Sequence, residues 1–238
     1  MQDKVVVVVG ATGGIGSTVV RKLAPMGARL VLASRDADRL TALANQVAVS
    51  IPDRILMVPT DITQPQSVAA LMQATLDAFG RLDVLVNAAG IGLLKPYNKV
   101  EASDLDAMLD VNLKGSFYTC QAAATAMKEQ KSGHICNVIG ILGKHPMAMA
   151  SAYCASKYGV VGFSKCMADE LKRFGIKFTL FYLGGVDTPF WDNISLKVDR
   201  HKMLRPDTAA DAILFALAAD PQAVPLEVNI QPESHLFF

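Results

Sequence analysis

The sequence offers little material for a metal centre, a disulfide framework or a membrane anchor. Only four cysteines (Cys120, Cys136, Cys154 and Cys166) and four histidines occur in 238 residues. The cysteine spacings match neither a zinc knuckle nor a redox pair. They read as free thiols packed as small hydrophobes, and no metal is expected. Neither sign of charge dominates: Lys plus Arg number 23, Asp plus Glu 22, and the net charge is +1. Without a basic excess or a basic stripe, a nucleic-acid partner is not expected. No uninterrupted apolar run approaches the roughly 20 residues that a bilayer requires, so no membrane partner is expected either. Met1-Gln2-Asp3-Lys4 leads directly into a valine run without the look of a processing segment, and the expected address is cytoplasmic. No Pro-, Gly- or Ser-rich linker and no repeat interrupts the chain. One domain over residues 1–238 is the simplest partition.

Apolar residues are plentiful, at 51%. Residues 5–9 are five consecutive valines, a β-branched run with no polar alternation, as expected of a strand covered on both faces. Further strands are predicted at 29–33, 55–59, 82–86, 133–138, 176–183 and 225–230. Helical periodicity covers 17–26, 36–49, 67–79, 102–129 (with a break near Asp110), 152–174 and 206–219. Strands alternating with helices of this length mean βαβ units. The predicted fold is therefore α/β: a Rossmann-type, doubly wound, mostly parallel seven-stranded sheet with helices on both faces.

The first strand runs into Gly10-Ala11-Thr12-Gly13-Gly14-Ile15-Gly16. Glycines permit a tight turn and let the backbone approach a diphosphate, which the N–H groups of the helix beginning near Gly14 would meet. A glycine pattern between a buried strand and a helix is the context that dinucleotide binding needs. At the end of the second strand an acidic residue would favour NAD. Ser34 and Arg35 stand there instead. A hydroxyl and a guanidinium suit a 2′-phosphate, so NADP (NADPH) is expected over NAD. Asp36 lies just beyond and blurs the signal, and Arg35 has the alternative of being a solvated surface charge.

Tyr153 and Lys157 are four apart in a helical segment, hence on one face in adjacent turns. A nearby ammonium favours the phenolate and lowers the tyrosine pKa. A tyrosine so tuned passes a proton to or from a carbonyl oxygen, while a nicotinamide supplies the hydride.

With these motifs in order, the chain resembles the short-chain dehydrogenase/reductase family over nearly its whole length. Gly10 to Gly16 looks like the family's cofactor turn, with Val9 where Thr is usual. Asn87-Ala88-Ala89-Gly90 matches the motif that steadies the sheet and lines the cofactor. Asp61 and Ile62 stand where the family contacts adenine, and Asn112 matches the asparagine that holds a water for proton relay. Tyr153-Cys154-Ala155-Ser156-Lys157 matches the Tyr and Lys motif, with Lys157 also expected to hold the ribose. Gly184, Val186 and Thr188 match the segment that holds the nicotinamide amide, although Leu183-Gly184 replaces the usual Pro-Gly. The resemblance implies a carbonyl reductase or alcohol dehydrogenase. Its substrate pocket would be formed by loops after strands 4 to 6 and by residues 184–205.

The main departure is Gly140. The family's catalytic serine stands 13 residues before the tyrosine, and here that place is glycine. Losing one donor to the developing oxyanion costs roughly 3–4 kcal/mol. Gly140→Ser is expected to raise the rate, unless the glycine serves a positive φ. Ser151 is either a substitute donor or an N-cap. Leu142, Met147, Met149, Phe190 and Trp191 suggest an apolar pocket wall, with His145 as a further lining candidate. The leading expectation is hydride transfer between NADP(H) and a small or acyl-type, mostly apolar carbonyl substrate. The alternatives are 3-oxoacyl reduction on a carrier protein, and a catalytically weak NADP-binding regulator or scaffold. Helices 102–129 and 152–174 are apolar on more than one face, so a homodimer or homotetramer through them is expected.

Overall fold

The computed structural model describes residues 1–48, 53–194 and 198–234. Seven strands form one sheet in the order β3-β2-β1-β4-β5-β6-β7: β1 Val5–Val9, β2 Arg29–Ser34, β3 Ile55–Pro59, β4 Val84–Asn87, β5 Gly133–Val138, β6 Ile176–Leu183 and β7 Glu227–Ile230. The expected doubly wound, seven-stranded sheet is present, and every neighbouring pair in it is parallel. Parallel neighbours need crossovers, and the helices supply them: α1 Gly14–Leu23, α2 Ala37–Ala48, α3 Pro65–Phe79, α4 Ala102–Met108, α5 Ser116–Gln130, α6 Ser151–Leu171 and α7 Pro206–Leu217. Val49, the predicted end of the second helix, lies outside the described residues.

The valines of β1 explain the layering. All five are buried, and their side chains alternate between the two faces. Val6 and Val8 join the apolar cluster that includes side chains of α1, α2 and α7. Val5, Val7 and Val9 join the cluster that includes side chains of α3 and α5. A strand sealed on both sides has no polar face, which is why its sequence shows no alternation.

Element ends shift where caps or turns decide them. The first helix begins at Gly14, as the glycine turn implied and three residues before the apolar periodicity, and its end tightens into a 3-10 turn, Ala24–Met26, closed by left-handed Gly27. The third starts at Pro65, where a proline's missing donor is harmless. The predicted break near Asp110 is a π-helical segment, Leu109–Gly115, so α4 and α5 are joined without a loop. Among the described residues no helix is long and apolar enough to cross a membrane.

Candidate active site

The strand order reverses direction between β1 and β4, and a crevice opens there beyond the carboxyl ends of the strands. It is a cleft of about 1280 Å³ that runs from Ser34 and Arg35, past the glycine turn, to Tyr153 and Trp191. Gly10 leaves β1 with φ +77°, and a Cβ there would lie 2.6 Å from the Ala89 backbone nitrogen. Only glycine accepts both the angle and the contact. Gly13 caps α1 with no side-chain bond, so the first amides of the helix are left for a ligand. Thr12, Gly13, Gly14 and Ile15 line the cleft. Gly16 does not: it packs against the Gly10 carbonyl inside α1.

At the end of β2, the hydroxyls of Ser34 and Thr12 lie 2.7 Å apart. Arg35 is exposed at the cleft edge. Asp36 accepts the Arg39 backbone N–H, which engages its carboxylate at the start of α2. Arg39, which sequence reasoning missed, lines the same region and donates from Nη2 to the Thr12 carbonyl at 2.7 Å. Its place one helical turn past Arg35 was a signal that could have found it. Asp61 and Ile62 also line the cleft. The Asp61 carboxylate accepts the Thr63 N–H and hydroxyl, which hold its pKa below the usual range.

Two expected site residues, Asn87 of the cofactor motif and Asn112 of the water relay, sit behind the surface. Asn87 is buried in a polar chain: it donates to Asn137 Oδ1 and accepts from the Thr119 hydroxyl, and Asn137 donates to the Ser164 hydroxyl. Ala88 and Gly90, after it, do reach the cleft. Asn112 is fully buried in the π-helical segment and is likewise absent from the cleft wall. Its side chain exchanges two bonds of 2.9 Å with the Ile91 backbone and donates to the Ser156 hydroxyl at 3.1 Å. Ser156 in turn donates to the Tyr153 carbonyl. Asn112 thus ties the cleft loop at Ile91 to the helix that carries Tyr153.

Tyr153 and Lys157 project from the first turns of α6 into the cleft. Lys157 Nζ lies 5.8 Å from the Tyr153 ring centre and donates to the Val138 carbonyl at 3.1 Å. Burial lowers the lysine pKa to about 8. Burial pushes the Tyr153 phenol above its ordinary range, with the neighbouring Cys154 adding a smaller push. The expected lowering of the phenol by Lys157 is therefore absent in this structure. The loss of hydration outweighs an ammonium that is itself desolvated and engaged elsewhere.

Gly140 lines the cleft beside this pair, and a Cβ there would lie 3.5 Å from the Tyr153 hydroxyl. Its φ and ψ are +84° and 156°, a combination that L side chains rarely adopt. The space would admit a serine, but the backbone opposes it. Leu142, Met147, Phe190 and Trp191 form an apolar wall near Tyr153, with Gly184, Val186 and Thr188 continuing toward the glycine turn. His145 and Met149 do not line the cleft, and Met149 is exposed. Ser151 is neither substitute donor nor cap: it is the exposed first residue of α6, and the cap position is Ala150. Leu94, in the loop after β4, and Ile194, Lys202 and Met203, within 184–205, also line the cleft; the sequence pointed to these segments without singling out the four residues.

This fold and cleft define a dinucleotide-binding α/β protein. The chain belongs to the short chain dehydrogenase family, whose profile matches residues 4–199. It is 36% identical over 232 residues to an uncharacterized oxidoreductase of Staphylococcus aureus (strain N315), covering 98% of each chain. A relative in Staphylococcus saprophyticus is 34% identical over the same length, again with 98% of each chain covered. Among solved structures, a metagenomic short-chain oxidoreductase in complex with NADP is 32% identical with a TM-score of 0.84, covering 97% of each chain. Levodione reductase is 27% identical with a TM-score of 0.88, covering 98% of each. A 3-ketoacyl-(acyl-carrier-protein) reductase from Brucella melitensis complexed with NADH is 26% identical, with a TM-score of 0.88 and 98% of each chain covered.

Proposed function

We propose that the protein reduces ketones or aldehydes with apolar substituents, using NADPH, through Tyr153. The observation that carries this reading is one continuous cleft with the glycine turn at one end and the Tyr153–Lys157 pair, walled by apolar side chains, at the other.

The residues fit the cofactor. The turn of Gly10, Thr12, Gly13, Gly14 and Ile15 would hold the diphosphate against the uncapped amides of α1. Ser34 and Arg35, with Arg39 beside them, would hold a 2′-phosphate. Asp61 and Ile62 would meet the adenine. Lys157 would meet the ribose, and Gly90, Gly184, Val186 and Thr188 the nicotinamide end. The structural neighbour solved with NADP supports this preference, while the one solved with NADH keeps the test worth making.

Bound NADPH supplies the hydride that the carbonyl carbon gains. Tyr153, whose raised pKa keeps it protonated near neutrality, donates its proton to the carbonyl oxygen. Lys157 faces the phenolate that remains. The two transfers together give an alcohol. Phe190, Trp191 and Leu142 exclude water around the reacting group. Asn112 acts by holding Ile91 and the start of α6 in place.

The decisive measurement is NADPH oxidation across a panel of apolar ketones by the wild type and by Tyr153→Phe. Removing the proton donor should lower kcat by about a hundredfold to ten-thousandfold while NADPH still binds. A second reading, a cofactor-binding protein with little catalysis, is favoured by Gly140. Wild-type turnover no faster than the Tyr153→Phe variant on every ketone would decide for it.

A further inference from the structure

One wall of the cleft is the segment 186–192, and its outer side is held by a single guanidinium. Arg200 opens a short turn, Arg200–Lys202, some ten residues further along the chain. Its Nε donates to Asp187 Oδ1, its Nη1 to Asp192 Oδ1 at 2.7 Å, and its Nη2 to the Thr188 carbonyl at 3.0 Å. None of Arg200, Asp187 and Asp192 lines the cleft, whereas Thr188, Phe190 and Trp191, between the two carboxylates, all do. The backbone joins the same two strips: Asp187 N–H donates to the Leu204 carbonyl, and Leu204 N–H to the Gly185 carbonyl.

The inner side of the segment is seated closely on the cofactor turn and the loop after β4. A Cβ on Gly14 would lie 2.3 Å from Thr188 Cγ2, and one on Gly92 would lie 2.1 Å from Phe190 Cζ. The Phe190 ring stands 6.1 Å from that of Tyr153 and 5.6 Å from that of Trp191, edge-on in both cases. Trp191 Nε1 donates to the Val186 carbonyl. The segment thus bridges the glycine turn and the reacting tyrosine.

We propose that Arg200 is a positioning residue, a clasp that holds residues 187–192 shut so that Phe190 and Trp191 orient the substrate against Tyr153. An isolated exposed ion pair contributes little. Here one planar fork bonds three acceptors within six residues of one segment, so the constraint falls on the segment's shape. Lysine, a compact point charge, cannot reproduce that fork. The clasp deepens the reductase reading for its kinetic part, but its structural part is independent of turnover.

Trp191 is the only tryptophan in the chain, so its fluorescence reports this segment directly. The experiment compares the full-length wild type, Arg200→Gln and Arg200→Lys by acrylamide quenching of Trp191 and by steady-state kinetics on the best ketone. In Arg200→Gln, quenching should rise and emission shift to the red. KM for the ketone should rise about tenfold with kcat changed far less, the signature of a wall that no longer holds the bound substrate in place. Arg200→Lys should fall between. Should Arg200→Gln fail to fold, Asp192→Asn removes the charge from one exposed acceptor and should shift quenching and KM in the same direction by less. Quenching equal to wild type in the folded variants would overturn the clasp, and altered quenching with an unchanged KM would overturn its positioning role. A wild type without turnover on any ketone would sink the reductase reading alone, because the clasp is still decided by quenching.

Discussion

At the scale of single residues, burial shifts the two members of the Tyr153–Lys157 pair toward their neutral forms. The phenol keeps its proton and the ammonium loses its own more readily, at about 8. Below that pH Lys157 is charged and can stabilise the phenolate left on Tyr153. Above it, the charged fraction falls about tenfold per pH unit. With saturating NADPH, kcat/KM for ketone reduction should therefore decline as pH rises through about 8, and a flat profile to pH 10 would contradict this role for Lys157. Gly140 leads to a different expectation now that its backbone is known. With φ at +84° and ψ at 156°, Gly140→Ser should destabilise the fold by about 1–3 kcal/mol and give no gain in kcat/KM. Thermal melts paired with kinetics test it: a rate gain at unchanged Tm would show that the turn relaxes. The glycine was legible at this position by counting back from Tyr153. Its angle was not, since nothing local distinguishes a glycine chosen for φ from one that merely lacks a side chain. Arg35→Ala should raise the Kd for NADPH about tenfold to a hundredfold and leave NADH nearly unmoved, because a charge-assisted bond to phosphate is worth roughly 1.5–3 kcal/mol. Equal losses in the two titrations would remove the basis for preferring NADP.

At the scale of elements, the π-helical segment Leu109–Gly115 shows what periodicity hides. The helical pattern across 102–129 runs through it, and only a break near Asp110 was expected. The widened turn places Asn112 where its amide meets both the Ile91 N–H and the Ile91 carbonyl. These partners lie 21 residues away in the sequence, so no local pattern encodes them. Asn112→Ala should leave part-buried polar groups of Ile91 unpaired, at a cost of about 1–3 kcal/mol for each group that water cannot reach. A urea midpoint unchanged from wild type would show that the loop rearranges freely. The glycine turn is the opposite case. Strand, turn and helix follow each other within a dozen residues, each with its own chemical signal, and the structure places all three where the sequence indicated.

At the scale of the whole molecule, the outer faces of α5 and α6 mix apolar with polar and charged side chains: Phe117 stands beside Gln121, Thr125 and Lys128, and Cys166 beside Lys165, Asp169 and Glu170. Phe117, Phe163, Cys166, Met167 and Leu171 line a hollow there together with Gln121, Thr125, Lys128 and Glu170, and the Phe117 and Phe163 rings meet edge-on at 5.4 Å. The family resemblance makes this face the expected contact between copies. Sedimentation at micromolar concentration should show a dimer or tetramer, and Phe117→Glu, which puts a charge on a partly exposed apolar side chain, should shift it toward monomer. A wild type that sediments as monomer at every concentration would remove this expectation.

The sequence alone determined the alternation of strands and helices, the buried character of β1, the dinucleotide turn and the pairing of Tyr153 with Lys157 on one helical face. Each depends on signals within a few residues: period, β-branching, glycine placement and i,i+4 spacing. Only the tertiary structure decided that Asn87 and Asn112 stand behind the cleft, that His145 and Met149 do not line it, and that Arg39 does. It likewise decided that burial raises the Tyr153 pKa and that Gly140 serves its backbone angle. These depend on which distant segments pack together, because burial and hydrogen-bond partnership are properties of the assembled surroundings and no stretch of chain carries them by itself.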